Sequence, residues 1–493
     1  MNSTLIKFYV NFTFTSIIYY LIDLHLTYYF LRRIHFNMNK KLFTSLALCT
    51  SILAMTSFPV LGKTTNHSIQ KVTTYQVDVN ESLYVPYEKS TTELFEKGFV
   101  TGFGSAVTFK GYDKDGNPQF YAITDRGPNA DAPNYTVDDK IKPSKIFPSP
   151  SFTPSIGIVT LKDGKAVIDE AITIKDTNGK NISGLPLQEG LIGSTGEVAL
   201  DMNLTHLGYD VNGLDTEGIA VDKDGNFWIC DEYGPFLVKL NANGKILKKY
   251  APGQGLPEIL KYRIANRGFE GLTISPSGKI FVSVQSVLDV EGQTSKTATF
   301  TRIIEFDPKT EEVKTYAYPI NTSDYKSPKD CKIGDIYALN DNTLLVIEQG
   351  KLKDGTMSNL IYKADLSKAS DITNATYEGK ALEFVADTTL IKNYKFATKE
   401  KLVDLRELGW TAEKAEGLCL LDDKTIAVIN DNDFGLTMDI TDTSLNTPDI
   451  TKYVYDPQSQ TFTYTDNLTP NIAIKENTEP AELWTIQMTS SLK

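Results

Sequence analysis

The stretch EGIAVDKDGNFWICDE, residues 217–232, decides the fold because the chain repeats its plan. The plan is an acid followed by glycine, a short strand, a turn rich in Asp, Asn and Gly, a second strand and a polar end. It recurs in EGLTISPSGKIFVSVQS (270–286), DIYALNDNTLLVIEQG (335–350), EGLCLLDDKTIAVINDND (416–433) and, without the acid, GSAVTFKGYDKDGNPQFYAITDRG (104–127). An ordinary hairpin does not predict the recurring acid and glycine, so these stretches are copies of one repeat.

Each copy has the pattern of a β-hairpin, and the intervals between copies are somewhat longer than a minimal propeller blade of about 40 to 50 residues. The repeat therefore predicts an all-β fold, a β-propeller of six or seven blades that consist mostly of four antiparallel strands. We expect ELWTIQM near the C-terminus to share a blade with the segment around YQVDVNESLYVPY and to close the ring. A pair of β-sandwich domains built from ordinary hairpins is the alternative.

The N-terminal residues do not fit the repeat. Residues 1–37 are long and apolar, and we interpret them as untranslated upstream sequence or as a membrane anchor. Residues 38–62 have two lysines before an apolar run and small residues suited to cleavage, as in a secretory signal peptide that starts at Met38. We therefore expect a secreted or periplasmic protein, with membrane contact only if the upstream segment is retained. The remaining chain is predicted to comprise residues 63–94, which take part in ring closure, and residues 95–493, the propeller domain.

Composition limits the partners. The net charge is −12 at pH 7, and removal of the N-terminal segment makes the rest more acidic, which disfavours nucleic acid and anionic membranes. Cys230, Cys331 and Cys419 are spaced for neither a zinc ribbon nor a dense disulfide framework, and we interpret them as small buried side chains. We expect a monomer whose partner is a small molecule.

Four acids lead the copies of the repeat, and we call them the leading acids: Glu217, Glu270, Asp335 and Glu416. The inner strand of each propeller blade starts near the central channel, so equivalent positions in different blades converge there. A ring of carboxylates repels itself unless a cation is bound or some groups are protonated. Oxygen ligands in flexible geometry suit Ca²⁺, and we predict that the leading acids bind this metal. The alternative is that each acid accepts hydrogen bonds from strand-start amides and ties blades together.

The polar ends of the repeat supply candidate substrate-binding groups. Asp125 and Arg126 end one copy and Glu232 ends another, while Arg267 precedes the leading acid of the next copy. A guanidinium beside a carboxylate-bound metal can bind a phosphate or carboxylate oxyanion through two hydrogen bonds. We predict that these four residues bind substrate. An Arg–Asp structural pair at a blade junction is the alternative for each arginine.

Candidate catalytic groups follow from what the chain lacks. Beyond the signal the chain has only two histidines, His67 and His206, which can hardly supply a Ser-His-Asp triad or a histidine metal site. A hydrolase built from this chain would use metal, carboxylates and water, with Asp231 or Asp431 accepting the proton. Arg126 and Arg267 complete the predicted catalytic set.

Several of these motifs together carry a family resemblance: DRGPN, DTEGIAVDKDGNFWICDEYGP, NRGFEGLTISPSGKIFVSVQS and AEGLCLLDDKTIAVINDND. Over roughly residues 95–440 the chain resembles the phytase-like β-propeller family, described as having esterase-like activity of phytase. The resemblance implies a secreted bacterial-type propeller with phosphoric-ester hydrolase activity and calcium dependence. It does not identify the substrate, and the sequence has no dense Lys/Arg cluster suited to phytate.

Two other functions compete with a calcium-dependent phosphoesterase. One is a lactonase-like or carboxylic-ester hydrolase on a similar calcium-centred propeller, for which a histidine near the metal is expected. The other is a non-catalytic binding propeller in which the acids are structural.

Overall fold

The protein is described by a computed structural model that covers residues 68–88, 95–440, 449–464 and 471–493. These residues contain β-strands and short 3-10 helices, and no α-helix occurs among them. The predicted upstream segment and signal peptide lie outside the described residues. Within the described part of the chain, no helix is long and apolar enough to cross a membrane.

The strands are numbered in chain order. The first sixteen are β1 (Ile69–Val79), β2 (Ala106–Tyr112), β3 (Pro118–Ile123), β4 (Ala130–Asp131), β5 (Asn134–Val137), β6 (Lys140–Lys142), β7 (Ser144–Ile146), β8 (Ser155–Lys162), β9 (Lys165–Thr173), β10 (Val198–Leu200), β11 (Thr216–Val221), β12 (Phe227–Asp231), β13 (Phe236–Leu240), β14 (Ile246–Pro252), β15 (Gly255–Leu256) and β16 (Phe269–Ile274).

The later strands follow the same numbering. They are β17 (Ile280–Val284), β18 (Phe300–Phe306), β19 (Val313–Pro319), β20 (Lys332–Ala338), β21 (Thr343–Lys351), β22 (Met357–Asp365), β23 (Thr376–Tyr377), β24 (Lys380–Ala381), β25 (Thr398–Asp404), β26 (Gly417–Asp422), β27 (Thr425–Ile429), β28 (Leu436–Ile440), β29 (Val454–Asp456), β30 (Thr461–Thr463), β31 (Ile472–Glu476) and β32 (Glu482–Met488). The 3-10 helices include Glu81–Leu83, Glu258–Tyr262, Val290–Gly292, Pro328–Asp330, Leu382–Phe384, Thr388–Ile391, Arg406–Leu408, Asp433–Gly435 and Ile450–Lys452.

Five groups of four strands have the order of propeller blades. From the inner to the outer strand they are β2-β3-β8-β9, β11-β12-β13-β14, β16-β17-β18-β19, β20-β21-β22-β25 and β26-β27-β32-β1. Their inner strands pack against one another in this order, and the inner strand of the last blade packs back on that of the first. The predicted all-β propeller is therefore confirmed, with hairpins as its units.

The expected count of six or seven blades is not confirmed, because the described strands close the ring with five. Residues that would have formed further blades make short sheets instead, and these are β4-β7-β10, β5-β6-β29-β30, β28-β31 and β23-β24. Their apolar side chains form clusters of their own, one around Phe99 and Phe434 and another around Tyr135 and Leu200. Dividing the chain length by the repeat period overestimates the number of blades, because the residues of these insertions are counted as if they formed blades.

The ring closes where the two ends of the described chain meet. β32, which contains ELWTIQM, pairs with β1 so that Thr485 lies opposite Thr73, and it pairs with β27 on its other side. This is the closure expected from the sequence. It leaves no unpaired edge at the junction, and β1 also pairs in parallel with β9 of the first blade.

Burial on both faces explains the apolar strands of the blades. Every residue of β12, β17 and β27 is buried, because each blade is covered by a neighbour on either side. The three cysteines are free and buried, as expected for small core side chains. Burial raises the pKa of each of their thiols, so they are poor nucleophiles.

Candidate functional site

β-Bulges hold two of the leading acids, Glu217 and Glu270. The pairing of β11 with β12 is interrupted at Glu217, and that of β16 with β17 is interrupted at Glu270. A bulge leaves one residue unpaired and turns its side chain away from the regular alternation. Both glutamates are buried, so the local irregularity directs carboxylates into the interior at the start of the inner strands.

The glycine that follows the acid has a packing reason. A Cβ at Gly271 would lie 2.6 Å from the backbone nitrogen of Ile336, and one at Gly417 would lie 2.8 Å from that of Val107. Both nitrogens belong to the inner strand of the next blade, so only glycine permits this approach. In the copy at residue 335 the glycine precedes the acid, and a Cβ at Gly334 would lie 2.2 Å from the carbonyl oxygen of Ala415.

Three of the four leading acids converge. Glu217, Glu270 and Glu416 each place a carboxylate oxygen within 4.8 Å of the others. Asp215, Glu217 and Glu232 form a second such group, so Glu217 is shared. We call these five acids the carboxylate cluster; they come from three blades and meet at the channel.

Asp335 lies apart from the cluster. Its Oδ1 accepts a hydrogen bond of 2.7 Å from the backbone N–H of Ile336, and its Oδ2 accepts one of 2.7 Å from that of Leu418 on β26. The side chain is almost fully buried. Asp335 therefore ties two neighbouring inner strands together, which is the structural role considered above as the alternative to metal binding.

Burial and mutual repulsion shift the pKa values of the cluster upward. Burial, followed by the charge of nearby carboxylates, raises the pKa of Glu217 and Glu270 well above the ordinary value. Burial raises the pKa of Glu232 and of Glu416 to about 8. Lys332 opposes the rise for Glu232, Glu270 and Glu416 but does not cancel it. Without a cation the cluster therefore retains protons near neutral pH.

Arg126 is the guanidinium nearest the cluster. Its Nη1 lies 3.3 Å from Glu197 Oε1 and 3.5 Å from Asp215 Oδ2, and its charged end lies 5.6 Å from the centre of the Tyr233 ring. Burial alone would lower the pKa of Arg126, but the charges of Asp215, Tyr233 and Glu197 outweigh it. Its side chain is 10% exposed, so the guanidinium is a fixed, charged group at the edge of the cluster.

Arg267 lies beside the cluster without an ion pair among the described residues. Its Nη1 donates to the backbone carbonyl of Lys329, and burial lowers its pKa. Its neighbour Asn266 donates from Nδ2 to Glu197 Oε2 at 2.9 Å. The segment that carries Arg267 thus supports the carboxylate that pairs with Arg126.

Asp231 is a positioning residue rather than a free carboxylate. It accepts hydrogen bonds from the backbone N–H groups of Asp215 at 2.7 Å and of Gly234 at 2.5 Å. Burial raises its pKa to about 7. Because both oxygens are occupied by backbone donors, the predicted role of Asp231 as the proton acceptor has little geometric support.

Asp125 and Asp431 lie on the side of the channel where the ring closes. Asp125 accepts a hydrogen bond of 2.7 Å from the backbone N–H of Gly127, and burial followed by the charges of Asp431 and Asp215 raises its pKa. Asp431 Oδ2 lies 2.7 Å from the ammonium of Lys414. Asp431 is therefore held as one half of an ion pair.

Lys414 is a site residue that the repeat did not single out. Its Nζ lies 2.7 Å from Asp431, 2.8 Å from Asp433 and 3.7 Å from Glu416. Its side chain is 32% exposed, so it is a cation that solvent can reach. Carboxylates of these three residues raise its pKa well above the ordinary value although burial opposes them.

A signal for Lys414 was present in the sequence. A charged residue stands two or three positions before every leading acid, and these residues are Asp215, Arg267, Lys332 and Lys414. Of these four residues, Arg267 alone is among the site residues predicted from the sequence. Gln285, which donates to Glu232 at 2.7 Å and to Glu270 at 2.8 Å, ends a copy of the repeat and was also within reach. Glu197 lies outside every copy, so no periodic signal pointed to it.

Comparison with protein families identifies the family of the chain. The family model named Phytase-like, described as esterase-like activity of phytase, matches residues 100–434, which contain all five acids of the carboxylate cluster. The chain belongs to the phytase-like family. The matched residues include every complete copy of the repeat, so membership rests on the propeller itself.

A curated relative is also known. The chain is 31% identical over 146 residues to an uncharacterized secreted protein of Arthroderma benhamiae, and the match covers 24% of this chain and 28% of the relative. The chain thus spans little more than a quarter of the length of that relative.

Solved structures resemble this phytase-like chain only distantly. A luciferin-regenerating enzyme is 10% identical with a TM-score of 0.32, covering 80% of this chain and 93% of that one. An alpha-L-arabinofuranosidase from Podospora anserina is 10% identical with a TM-score of 0.32, covering 85% and 98%. At these scores the similarity carries no inference about function.

The cluster of this phytase-like chain fits a hard cation. Its ligand atoms are all carboxylate oxygens, the donors that Ca²⁺ prefers. Gln285 Oε1, which is buried beside them, has no hydrogen-bond partner among the described residues, and Asp215 Oδ2 has no hydrogen bond beyond its ion pair with Arg126. Buried polar atoms are nearly always satisfied, so these oxygens are consistent with an electropositive ligand at this point.

Proposed function

We propose that this protein is an exported phytase-like propeller that hydrolyses a phosphoric ester with Ca²⁺ held by the carboxylate cluster. The observation that carries the proposal is the meeting of buried carboxylates from three blades beside Arg126. The family description supports ester hydrolysis. The secreted relative supports export, which we propose occurs through the signal peptide that starts at Met38.

Glu217, Glu270 and Glu416 would hold the cation, and Glu217 also belongs to the second group, with Asp215 and Glu232. A bound Ca²⁺ would offset the repulsion within the cluster and polarise an ester oxygen. Asp335 is left out of this ligand set because its oxygens bind backbone amides of two strands.

The cations at the edge of the cluster would bind the substrate oxyanion. Arg126 is fixed by Glu197 and Asp215, so its guanidinium is oriented before substrate arrives. Lys414 is the more exposed cation, and Asp431 and Asp433 hold its ammonium beside the cluster. Arg267 would act mainly by holding the segment that supports Glu197.

Glu232 is the better proton acceptor of the two acids that end this copy of the repeat. It is half-buried, and its Oε1 accepts from Gln285, which leaves Oε2 to take a proton. Burial raises the pKa of Glu232 to about 8, and a bound cation would oppose this rise, so the carboxylate form that accepts a proton depends on the cation. Asp231 would position Asp215, and Asp431 would position Lys414.

The test is an assay of the purified protein on p-nitrophenyl phosphate, bis(p-nitrophenyl) phosphate and p-nitrophenyl acetate, with CaCl₂ or with EDTA. We expect CaCl₂-dependent hydrolysis of a phosphoric ester and a loss of about 100-fold or more in Glu270→Gln. Glu81→Gln is the matched control, because Glu81 is exposed and pairs with the exposed Lys97.

The outcomes separate the competing functions. Faster hydrolysis of the acetate than of either phosphate would favour a carboxylic-ester hydrolase. If CaCl₂ raises the melting temperature but no ester is hydrolysed, the protein is a calcium-binding propeller. If CaCl₂ changes neither quantity, the cluster is structural and the proposal fails.

A further inference from the structure

A second cavity lies on the same face of the propeller as the carboxylate cluster. Its volume is about 460 Å³; Leu191 and Ile192 form an apolar part of its lining, and Gln254, Glu258, Lys261 and Arg263 form a polar part. β12 runs toward the start of the inner strands, so the turn that follows it, and the residues after β14, lie on that face. The cavity therefore opens beside the cluster, above the second blade.

Two short segments separate the cavity from the cluster. Gly234 lines the cavity, and its amide is bonded to the carboxylate of Asp231, next to Glu232 of the cluster. Ser194 lines the cavity as well, three residues before Glu197, which pairs with Arg126. The cavity and the proposed site are thus lined by neighbouring residues of the same two segments.

The loop that forms the cavity wall is fixed in place. Arg263 donates to the carbonyl oxygens of Tyr233 at 2.7 Å, Gly193 at 3.1 Å and Ser194 at 2.9 Å, so it joins the loop to the turn beside the cluster. At the other end of the loop, Lys142 pairs with Glu189 at 2.5 Å. Because the Arg263 guanidinium donates to three carbonyls, it gives the loop of residues 189–194 a defined position relative to the turn at Tyr233.

The fixed loop presents apolar side chains to water. Leu191 and Ile192 are each 43% exposed, adjacent in sequence and both part of the cavity lining. Two exposed aliphatic side chains beside the proposed ester site would bury part of an aliphatic group, and each methylene removed from water favours binding. A polar or highly charged group would gain nothing from them.

We infer that this cavity is a subsite for an aliphatic acyl or alkyl chain of the ester. The inference rests on the proposed function and adds the class of substrate, an ester with one apolar arm. The ester group would lie at Arg126 and the carboxylate cluster, and the apolar arm would cross Gly234 to reach Leu191 and Ile192.

The test compares short and long substrates in the ester class that the wild-type protein hydrolyses. The pairs are p-nitrophenyl acetate and octanoate, or methyl and octyl p-nitrophenyl phosphate. We expect KM to be at least about 10-fold lower for the octyl or octanoyl member in the wild-type protein. Ile192→Asp should remove this preference without changing KM or kcat for the short member.

Leu390→Asp is the matched control, because Leu390 is 54% exposed on a 3-10 helix that does not line the cavity. Equal melting temperatures of the two variants would show that folding is unaffected. A wild-type protein without chain-length preference, or an Ile192→Asp variant that keeps it, would overturn the inference.

Binding of octanoate, measured by calorimetry with acetate as the reference, keeps the inference separate from the proposed function. If no ester is hydrolysed, the proposed function fails, yet octanoate binding that weakens about 10-fold in Ile192→Asp still supports the subsite. Absence of octanoate binding to the wild-type protein would count against it.

Discussion

At the scale of single residues, similar acids in similar positions do different work. Glu217 and Glu270 stand in bulges and point into the channel, whereas Asp335 has a side chain one methylene shorter and binds strand amides. The sequence predicted that the leading acids would meet, and three of them do. It could not predict the exception, because the choice between cation and amide depends on side-chain length and on the position of one glycine.

The pH dependence of stability tests the environment of Asp231. Its pKa is about 7 in the folded protein because of burial, well above the ordinary value for Asp. Between about pH 4 and 7 the folded protein keeps a proton that the unfolded chain has released, so the free energy of unfolding falls as pH rises through this range. Each unit of pKa difference corresponds to about 1.4 kcal/mol.

We expect denaturant unfolding between pH 4 and 8 to show a shallower fall in Asp231→Asn than in the wild-type protein. Asp354→Asn is the control, because Asp354 is exposed and hydrogen bonds lower its pKa, so its own effect occurs below this range. Parallel pH profiles for the wild-type protein and Asp231→Asn would show that Asp231 is ionised throughout.

At the scale of elements, the acid and glycine of the repeat lie at the contact between the inner strands of neighbouring blades. The glycine beside each leading acid lies where two inner strands approach, and the acid projects from the same point. The hairpins were predictable from alternation and turn residues, since these are local signals. Glu197, Leu191 and Ile192 lie in an insertion outside the copies of the repeat, so the repeat could not predict them.

Gly271→Ala tests the contact between two blades. The added Cβ would meet backbone atoms of Ile336 and Asp335, which cannot move independently of their strand, so we expect a loss of about 1–3 kcal/mol of unfolding free energy. Gly278→Asn is the control, because Gly278 lies in an open turn with positive φ that Asn tolerates. A loss in Gly271→Ala no larger than in the control would show that the strands can separate without cost.

A buried ion pair holds the segment after β22 against the third blade. Arg302 Nε and Nη2 donate to the two carboxylate oxygens of Glu383 at 2.7 and 3.0 Å, and both side chains are almost fully buried. Arg302→Met would leave a buried carboxylate without its partner, and we expect a loss of about 3–5 kcal/mol in urea unfolding. The double variant Arg302→Met/Glu383→Leu should recover most of it, and failure to recover would mean that the pair contributes more than charge neutralisation.

At the scale of the whole molecule, five blades surround one polar centre while short sheets occupy part of the chain that a simple count assigns to further blades. The fold class could be predicted from the sequence because the copies of the repeat share the same alternating strands and the same kind of turn. The number of blades did not, because the chain length does not distinguish a blade from an insertion.

Val72→Asp tests the closing blade. Val72 lies opposite Ile486 on β32 and packs on the cluster that contains Trp484, so a charge there would be placed against apolar surface. We expect a loss of about 1–3 kcal/mol in unfolding free energy. Thr74→Asp, an exposed position on the same strand, should change stability little, and equal effects of the two variants would argue against a well-packed closing blade.

The closing blade also sets the order of events during folding. The hydroxyls of Ser68 and Thr489 lie 2.8 Å apart although 421 positions separate them in the chain. Among the described strands β32 is the last to be synthesised, so β1 can pair with β9 earlier but the fifth blade is incomplete until β32 joins it. A chain that lacks β32 therefore cannot complete the fifth blade or close the channel.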